Sequence, residues 1–119
     1  MNIKFLNGTN FEYLNALETE EYFNGASRRT ITFEAEVGVI GVDELNAVLS
    51  NEANTKSIEL SNGDVTNIYD GYVLKLKCGI EPKLLQAETL ETPAVYADRL
   101  IFKLGKRTYI EEQLKNLGL

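Results

Sequence analysis

Residues 28–37 read RRTITFEAEV, and apolar and polar side chains alternate along most of this stretch. Successive side chains of a β-strand point to opposite faces of its sheet. The face that carries Ile31, Phe33, Ala35 and Val37 is therefore predicted to lie in the core, and the face with the threonines and glutamates in water. This stretch is the clearest strand in the sequence, and it indicates a sheet with one buried face.

Turn-forming dipeptides on both sides of this strand predict that neighbouring strands are joined by tight hairpins. Asn-Gly and Asp-Gly tolerate the positive φ angles that two-residue hairpin turns require. They therefore favour an antiparallel sheet. The dipeptides are Asn7-Gly8, Asn24-Gly25, Asn62-Gly63 and Asp70-Gly71.

Shorter alternating runs predict further strands. Residues 11–17 fit either a strand or a short helix, because both periods match their apolar positions. The run 72–78 is predicted to turn Leu74, Leu76 and Cys78 inward and its lysines outward. The predicted strands are a first one with Ile3 and Phe5, a hairpin of residues 55–60 and 64–69 around Asn62-Gly63, then residues 72–78 and 95–104.

Two segments have the 3.6-residue period of an amphipathic helix. Residues 42–51 carry an apolar stripe and follow a glycine-containing turn. Near the C-terminus, Thr108 and Glu111 have the spacing of a capping box, and Gly118 is a stop signal. The helix between them is predicted to dock on the sheet through its stripe of Ile110, Leu114 and Leu117.

Together these elements predict one α+β domain over residues 1–119. Its main part is an antiparallel, hairpin-rich sheet that either closes into a barrel or packs as a sandwich. One central helix and one short C-terminal helix pack on that sheet. Pro82 and Pro93 bracket residues 83–92, which lack a clear period and are predicted to form a mobile loop between the last two strands.

The composition narrows the partners and the compartment that we expect. The 119-residue chain has a net charge of −6, which repels nucleic acid, so no nucleic-acid partner is expected. No apolar run reaches the ~20 residues of a membrane helix, and the N-terminus lacks a signal-peptide core, so we expect a cytoplasmic protein without membrane contact. The lone cysteine, Cys78, cannot form an internal disulfide, which agrees with that compartment.

No residue pattern points to catalysis, a cofactor or a metal ion. The chain has no histidine, the commonest general base at neutral pH and the commonest metal ligand. Glu18, Glu20 and Glu21 are interpreted as a solvated acidic loop, because their spacing does not fit a calcium loop. Cys78 is interpreted as a small buried hydrophobe. We therefore predict a protein that is not an enzyme, with no catalytic, cofactor-binding or metal-ligating residues.

Lysines and tyrosines are the side chains best suited to contacts with partners. Lys75, Lys77 and Lys103 form a stripe if the last two strands are neighbours. Exposed lysines on a strand commonly prevent the sheet edge from pairing with another chain. The same stripe could also bind an acidic protein or a nucleic acid. Tyrosine offers a large apolar body with a polar tip, which suits interfaces. The aromatic residues near predicted turns and strand ends are Phe11, Tyr13, Tyr22, Phe23, Tyr69, Tyr72 and Tyr96.

Five segments follow one another in an order that carries a resemblance. They are the strand RTITFEAE at 29–36, the stretch VDELNAVL at 42–49, the segment SIEL at 57–60, the turn Asp70-Gly71-Tyr72, and IEEQL at 110–114. The order resembles small α+β structural proteins of tailed bacteriophages and their prophage relatives, particularly tail or baseplate components. The resemblance implies an assembly part, incorporated in a virion, that self-associates or docks to other tail subunits.

These features predict a non-enzymatic structural or assembly protein that acts through protein–protein contacts. One such contact is self-association into a homo-oligomer. Its partners are expected to be other subunits, bound through strand edges or loops. The alternative is a small module that binds a saccharide or a peptide through surface tyrosines. An aromatic-lined concavity favours the alternative, and a free strand edge favours the assembly protein.

Overall fold

A computed structural model describes residues 1–118, which form two four-stranded antiparallel sheets accompanied by three short helices. No helix within this range is long and apolar enough to cross a lipid bilayer. The elements are β1 (Asn2–Lys4), β2 (Asn10–Glu12), β3 (Asn15–Phe23), β4 (Ala26–Glu36), α1 (Val42–Leu49), α2 (Glu52–Thr55), β5 (Ser57–Asn62), β6 (Val65–Asp70), β7 (Leu74–Gln86), β8 (Val95–Gly105) and α3 (Tyr109–Asn116).

The predicted strand at residues 28–37 is confirmed as β4, an inner strand of the larger sheet, whose order is β3-β4-β8-β7. Its predicted core face holds for Ile31, Phe33 and Ala35, which are buried, but Val37 lies beyond the strand and is exposed. The predicted solvent face is wrong in part, because Thr30 and Glu34 are buried as well. Phe33 lies directly opposite Phe102 of β8, and the two rings stack with their centroids 4.7 Å apart. This pair forms the centre of the core.

The second sheet has the order β2-β1-β5-β6 and faces the first across the core. Phe11 of β2 meets Phe102 of the larger sheet edge to face, with centroids 5.8 Å apart. Helix α1 packs beside them against β7, and it buries Leu45 and Leu49. Of the two expected architectures, the structure has two open sheets rather than a closed barrel.

The N-terminal region differs from the prediction at β3. Residues 15–23 form a strand, so the short-helix reading of residues 11–17 and the acidic-loop reading of Glu18, Glu20 and Glu21 are both wrong. The physical reason is the turn at Asn24-Gly25, whose φ angles of 51° and 84° suit a tight hairpin. That turn pairs β3 with β4 along the whole length of β3.

The other predicted turns place most strands correctly. Asn62-Gly63 joins β5 to β6 as predicted, and residues 95–104 match β8 to within one residue. Asp70-Gly71 is not a hairpin turn, however. It carries the chain from β6 in the smaller sheet to β7 in the larger one. Pro82 lies inside β7, so the predicted loop at residues 83–92 is shorter than expected.

The alternation of exposure predicted for β7 holds, since Leu74, Leu76 and Cys78 are half-buried and both lysines are exposed, but a β-bulge between Lys75 and Lys77 shifts the register. An extra residue in a strand moves the following side chains to the other face. Lys75 therefore shares the core side with Cys78, while Leu76 lies close to Gly105 and Arg28. The side chain of Lys75 reaches helix α1, where its Nζ donates hydrogen bonds to Oδ1 of Asn46 at 3.1 Å and to Oγ of Ser50 at 3.2 Å.

Helix α3 begins at the predicted capping box, with Thr108 and Glu111 each accepting from the other's backbone N–H. The predicted docking of its apolar stripe is wrong, because α3 buries none of its side chains. Ile110 is 69% exposed and Leu117 is 73% exposed. Ion pairs attach the helix to the body instead, and its apolar stripe faces solvent.

We expect Phe33→Ala to lower the free energy of unfolding by about 3–5 kcal/mol, because it removes the ring that stacks on Phe102 and leaves a cavity. Leu17→Ala is the matched control. Leu17 lies on β3, next to Phe33's strand, but it is 62% exposed, so its loss is expected to be within about 0.5 kcal/mol. Urea unfolding followed by circular dichroism measures both, and equal losses would contradict this account of the core.

Candidate functional site

The last two strands project beyond the rest of the molecule as a two-stranded ribbon. The pairing of β4 with β8 ends at Glu36 and Arg99, whereas β7 and β8 stay paired as far as Gln86 and Val95. We call residues 82–98 the arm. It accounts for an elongated shape of 61 × 33 × 28 Å and a radius of gyration of 16.2 Å, against about 13.5 Å for a compact chain of this length.

The arm exposes apolar side chains that nothing within residues 1–118 covers. Leu84 and Tyr96 lie directly opposite each other, so they share one face, and Tyr96 is 62% exposed. Leu90 is fully exposed in the connecting loop. Two residues before Pro82, Ile80 lies opposite the core residue Leu100. By alternation, the face with Leu84 and Tyr96 thus continues the core face of the sheet past the body.

A buried carboxylate fixes the base of the arm. Glu34 of β4 accepts hydrogen bonds from Lys83 and Asn15, the latter at 2.9 Å, and its Oε2 lies 3.2 Å from Nε of Arg99. Burial acts to raise the pKa of Glu34, but the hydrogen bonds from Lys83 and Asn15 and both nearby cations outweigh it, so the pKa is lowered. Since Lys83 and Arg99 lie on β7 and β8, this cluster joins both strands of the arm to the body.

At the opposite end of the sheet, one buried arginine holds α3. The Arg28 side chain is 1% exposed, and its guanidinium donates to both carboxylate oxygens of Glu111 at 2.6 and 3.1 Å. It also donates to the carbonyls of Phe23 and Lys106. Hydrogen bonds from Arg28 and from the backbone N–H of Thr108 lower the pKa of Glu111 to about 2. The guanidinium is therefore fully occupied within the fold.

Next to α3 is an open cleft of about 860 Å³, between that helix, α2 and the ends of β5 and β6. Its apolar lining comes from Leu6, Ala53 and Val73. Charged side chains surround that lining. Glu52 of α2 forms ion pairs with Arg107 and with Lys115, the latter at 3.0 Å. The other charged residues of the cleft are Lys56, Asp70 and Glu112.

The acidic residues of β3 are ordered by hydrogen bonds. Tyr72 is fully buried and donates its hydroxyl to Glu18 at 2.6 Å, while the Lys106 ammonium lies 4.9 Å above the Tyr72 ring. Burial, with the Glu18 hydrogen bond, raises the pKa of Tyr72 to about 12. Glu21 accepts from Lys103 at 2.9 Å and from Thr30 at 2.8 Å. These contacts give Tyr72 and Glu18 structural roles between the two sheets.

Another concavity, of about 530 Å³, lies on the outer face of the larger sheet. Its lining within the described part of the chain holds no aromatic ring. The exposed tyrosines lie elsewhere in the fold, Tyr22 near the β3–β4 turn, Tyr96 on the arm and Tyr109 on α3. Tyr22 and Phe23 do line a smaller concavity of about 150 Å³ together with Leu76, so the saccharide or peptide module stays a prediction. The side chains of the larger concavity are Asn15, Leu17, Thr19, Glu20, Glu21, Thr32, Glu34, Ile101 and Lys103.

The remaining candidate residues are accounted for by the fold. Cys78 packs against the core as predicted, and burial raises the pKa of its thiol. The predicted lysine stripe is divided, because Lys77 and Lys103 lie opposite each other while Lys75 turns toward α1. Ion pairs with Glu81 and Glu21 engage Lys77 and Lys103 respectively. A basic surface therefore does not form here.

Sequence reasoning missed the arm. It placed residues 83–92 in a mobile loop because Pro82 and Pro93 look like strand breakers. Proline is tolerated in β7, however, because this strand lies at the edge of the sheet. The available signal was Leu84 and Leu85, an apolar pair that a solvated loop does not require.

We expect Glu111→Gln to destabilise the protein by about 1–3 kcal/mol, since it takes the charge from the partner of a buried arginine. The folded-state pKa of Glu111 is about 2, below its ordinary value of 4.5, so its charge stabilises the fold above about pH 4.5 and the gain is lost as the pH falls toward 2. Urea unfolding between pH 7 and pH 2 tests this. The control, Glu112→Gln, removes only a partly exposed 3.8 Å ion pair with Arg107. If both variants show the same loss at pH 7, Arg28 does not hold α3.

Three comparisons with known proteins found no match, neither to a protein-family model, nor to a curated protein, nor to a solved structure.

Proposed function

We propose that this chain is a non-enzymatic assembly protein, a tail-associated component of the kind that its sequence resembles, and that it docks to other protein subunits through the arm. The observation that carries the proposal is the uncovered apolar face of the arm, with Leu84, Leu90 and Tyr96 in solvent.

The energetics of a two-stranded ribbon favour a partner. An isolated hairpin is only marginally stable in water. Each Å² of apolar surface removed from water is worth about 25 cal/mol, and a partner that covers Leu84 and Tyr96 recovers this free energy. A folded monomer gains nothing from keeping such side chains at the end of a projection. The arm is therefore best explained as one half of an interface.

The state of the carboxylates supports a role without catalysis. A general acid or base works best with a pKa near the working pH. Glu18, Glu21, Glu34 and Glu111 instead have lowered pKa values, because hydrogen-bonding partners such as Tyr72, Lys103, Lys83 and Arg28 favour their charged forms. They are acceptors in a structural network, and this suits an assembly part.

A photocrosslinking residue, p-benzoylphenylalanine, placed at Tyr96 is expected to form covalent protein adducts in the lysate of the native host. The aromatic substitute keeps the size and apolar character of the side chain. Leu84→Asp in the same chain is expected to reduce adduct yield at least tenfold, because it puts a charge on the shared face. Denaturing gels and mass spectrometry of the adducts provide the measurement.

The matched control carries the same crosslinker at Val65, which is 60% exposed on the edge strand β6. Its adduct yield should stay low and should not respond to Leu84→Asp. Equal yields from positions 65 and 96 would mean that the arm has no special affinity for protein. That result, or adducts that Leu84→Asp does not change, would overturn the proposal.

A further inference from the structure

We propose that the free edge of β6 is a second interface, independent of the arm, and that its partner is β6 of another copy of this chain. The two strands pair antiparallel about a two-fold axis. The four-stranded smaller sheets of the two protomers then form one continuous sheet. Main-chain hydrogen bonds supply most of the contact, as in other cases of strand addition.

The main-chain groups of β6 show which residues are free to pair. The backbone N–H of Gly71 donates to the carbonyl of Lys56 at 2.9 Å. In an antiparallel pair, every second residue exchanges its hydrogen bonds with the same neighbour, so the odd-numbered residues of β6 bond to β5 as Gly71 does. Thr66, Ile68 and Asp70 direct their N–H and C=O groups away from the sheet, and no strand within residues 1–118 pairs with them. An extended strand is the occupant that satisfies such a row of donors and acceptors.

The other three sheet edges have features that hinder pairing, and β6 has none of them. The edge strand β2 has only three residues. The strand β3 carries Glu18, Glu20 and Glu21, and β7 contains Pro82 and two register shifts. Short edges, charges, prolines and bulges are the usual means by which proteins keep sheet edges apart. From Val65 to Tyr69, by contrast, β6 is uncharged and regularly paired with β5.

The edge of β6 is complementary to a second copy of itself. With Ile68 opposite Ile68 of the second copy, Thr66 lies opposite Asp70 on both sides of the two-fold axis. All of these residues have outward main-chain groups, so each pair exchanges two hydrogen bonds. The Thr66 hydroxyl also meets the Asp70 carboxylate as a donor meets an acceptor. The one charged side chain of the strand therefore faces a polar partner and no like charge.

The neighbouring symmetric registers fit less well. A shift of two residues in one direction places Asp64 opposite Asp70 of the other copy, and like charges directly opposite each other are destabilising. The same shift in the other direction places Thr66 opposite residue 72, beyond the end of β6. Apolar contact also favours the register centred on Ile68. This side chain is 60% exposed, and directly opposite residues lie close enough to cover each other.

The contact is small and closed. One six-residue strand from each copy buries less than the roughly 1,200–2,000 Å² of a standard interface, so we expect a dimer that dissociates on dilution. Both copies use the same edge, so the assembly ends at two. At the low concentration of a lysate this edge is unpaired, and Val65 remains a suitable control position for crosslinking.

Opposite charges at position 68 test the pairing. Ile68→Lys and Ile68→Asp each place two like charges face to face at the two-fold axis, so each variant alone should dimerise about tenfold or more weakly than the unaltered chain. Their equimolar mixture should recover a heterodimer, because the introduced lysine then faces the introduced aspartate. Sedimentation equilibrium over a hundredfold concentration range measures the association. Ile68 is exposed, so both variants should fold, and urea unfolding checks that they do.

Leu17 provides a matched control, since it is 62% exposed on another edge strand, β3. Leu17→Lys and Leu17→Asp should dimerise like the unaltered chain, whether alone or mixed. Leu84→Asp, which alters the arm, should also leave the β6 dimer unchanged.

Three results would overturn the inference. The unaltered chain stays monomeric at the highest concentration, or both variants at position 68 dimerise like the unaltered chain, or mixing these two variants does not recover a dimer. In the last case, position 68 does not face itself across a two-fold axis. A crosslinker at position 68 that captures only a different protein would identify another occupant of the edge, and this too contradicts self-pairing.

Failure of this inference is distinguishable from failure of the proposed function. A chain that does not pair through β6, yet crosslinks from position 96 to another protein, keeps the assembly role of the arm. A chain that dimerises through β6 but forms no adducts at position 96 keeps the second interface and loses that role.

Discussion

The structure depends on the stacking of Phe33 on Phe102 between two adjacent strands of the larger sheet. Because β4 is paired on both sides, the register that brings these rings together also places every other side chain of β3, β4 and β8 on its face. A slip of one residue would exchange the core and solvent faces of a strand. The stacked pair thus fixes the sheet, and the sheet fixes where the arm and α3 leave the body.

A second constraint is the use of buried or partly buried ion pairs where apolar packing ends. Glu34 at the base of the arm and Arg28 beneath α3 occupy equivalent places at the two ends of the outer face of the larger sheet. Removing one member of such a pair leaves a desolvated charge, so both positions favour a single geometry. The larger sheet therefore has an apolar centre, and buried or partly buried ion pairs hold the structure at both of its ends.

Sequence patterns predicted the elements that local physics determines. The core face of β4, the Asn62-Gly63 hairpin and the Thr108 capping box were correct, since each depends on neighbours in the chain. The burial of Thr30 and Glu34 on the other face of β4 was missed. The acidic strand β3 was missed because Glu18 and Glu21 are stabilised by Tyr72 and Lys103, residues distant in sequence. The exposed stripe of α3 was also missed. Its spacing is the same whether the helix docks on its own sheet or faces solvent, so pattern alone does not tell the two apart.

The exposure of the arm has a consequence for how this protein can change over generations. Most mutations are constrained by their effect on folding stability, and residues 82–98 include no buried side chain. Substitutions there are almost free of that constraint as long as Glu34 keeps its contacts at the base. The arm can therefore diverge rapidly while the body stays the same, so one scaffold is able to acquire different binding specificities without first becoming more stable.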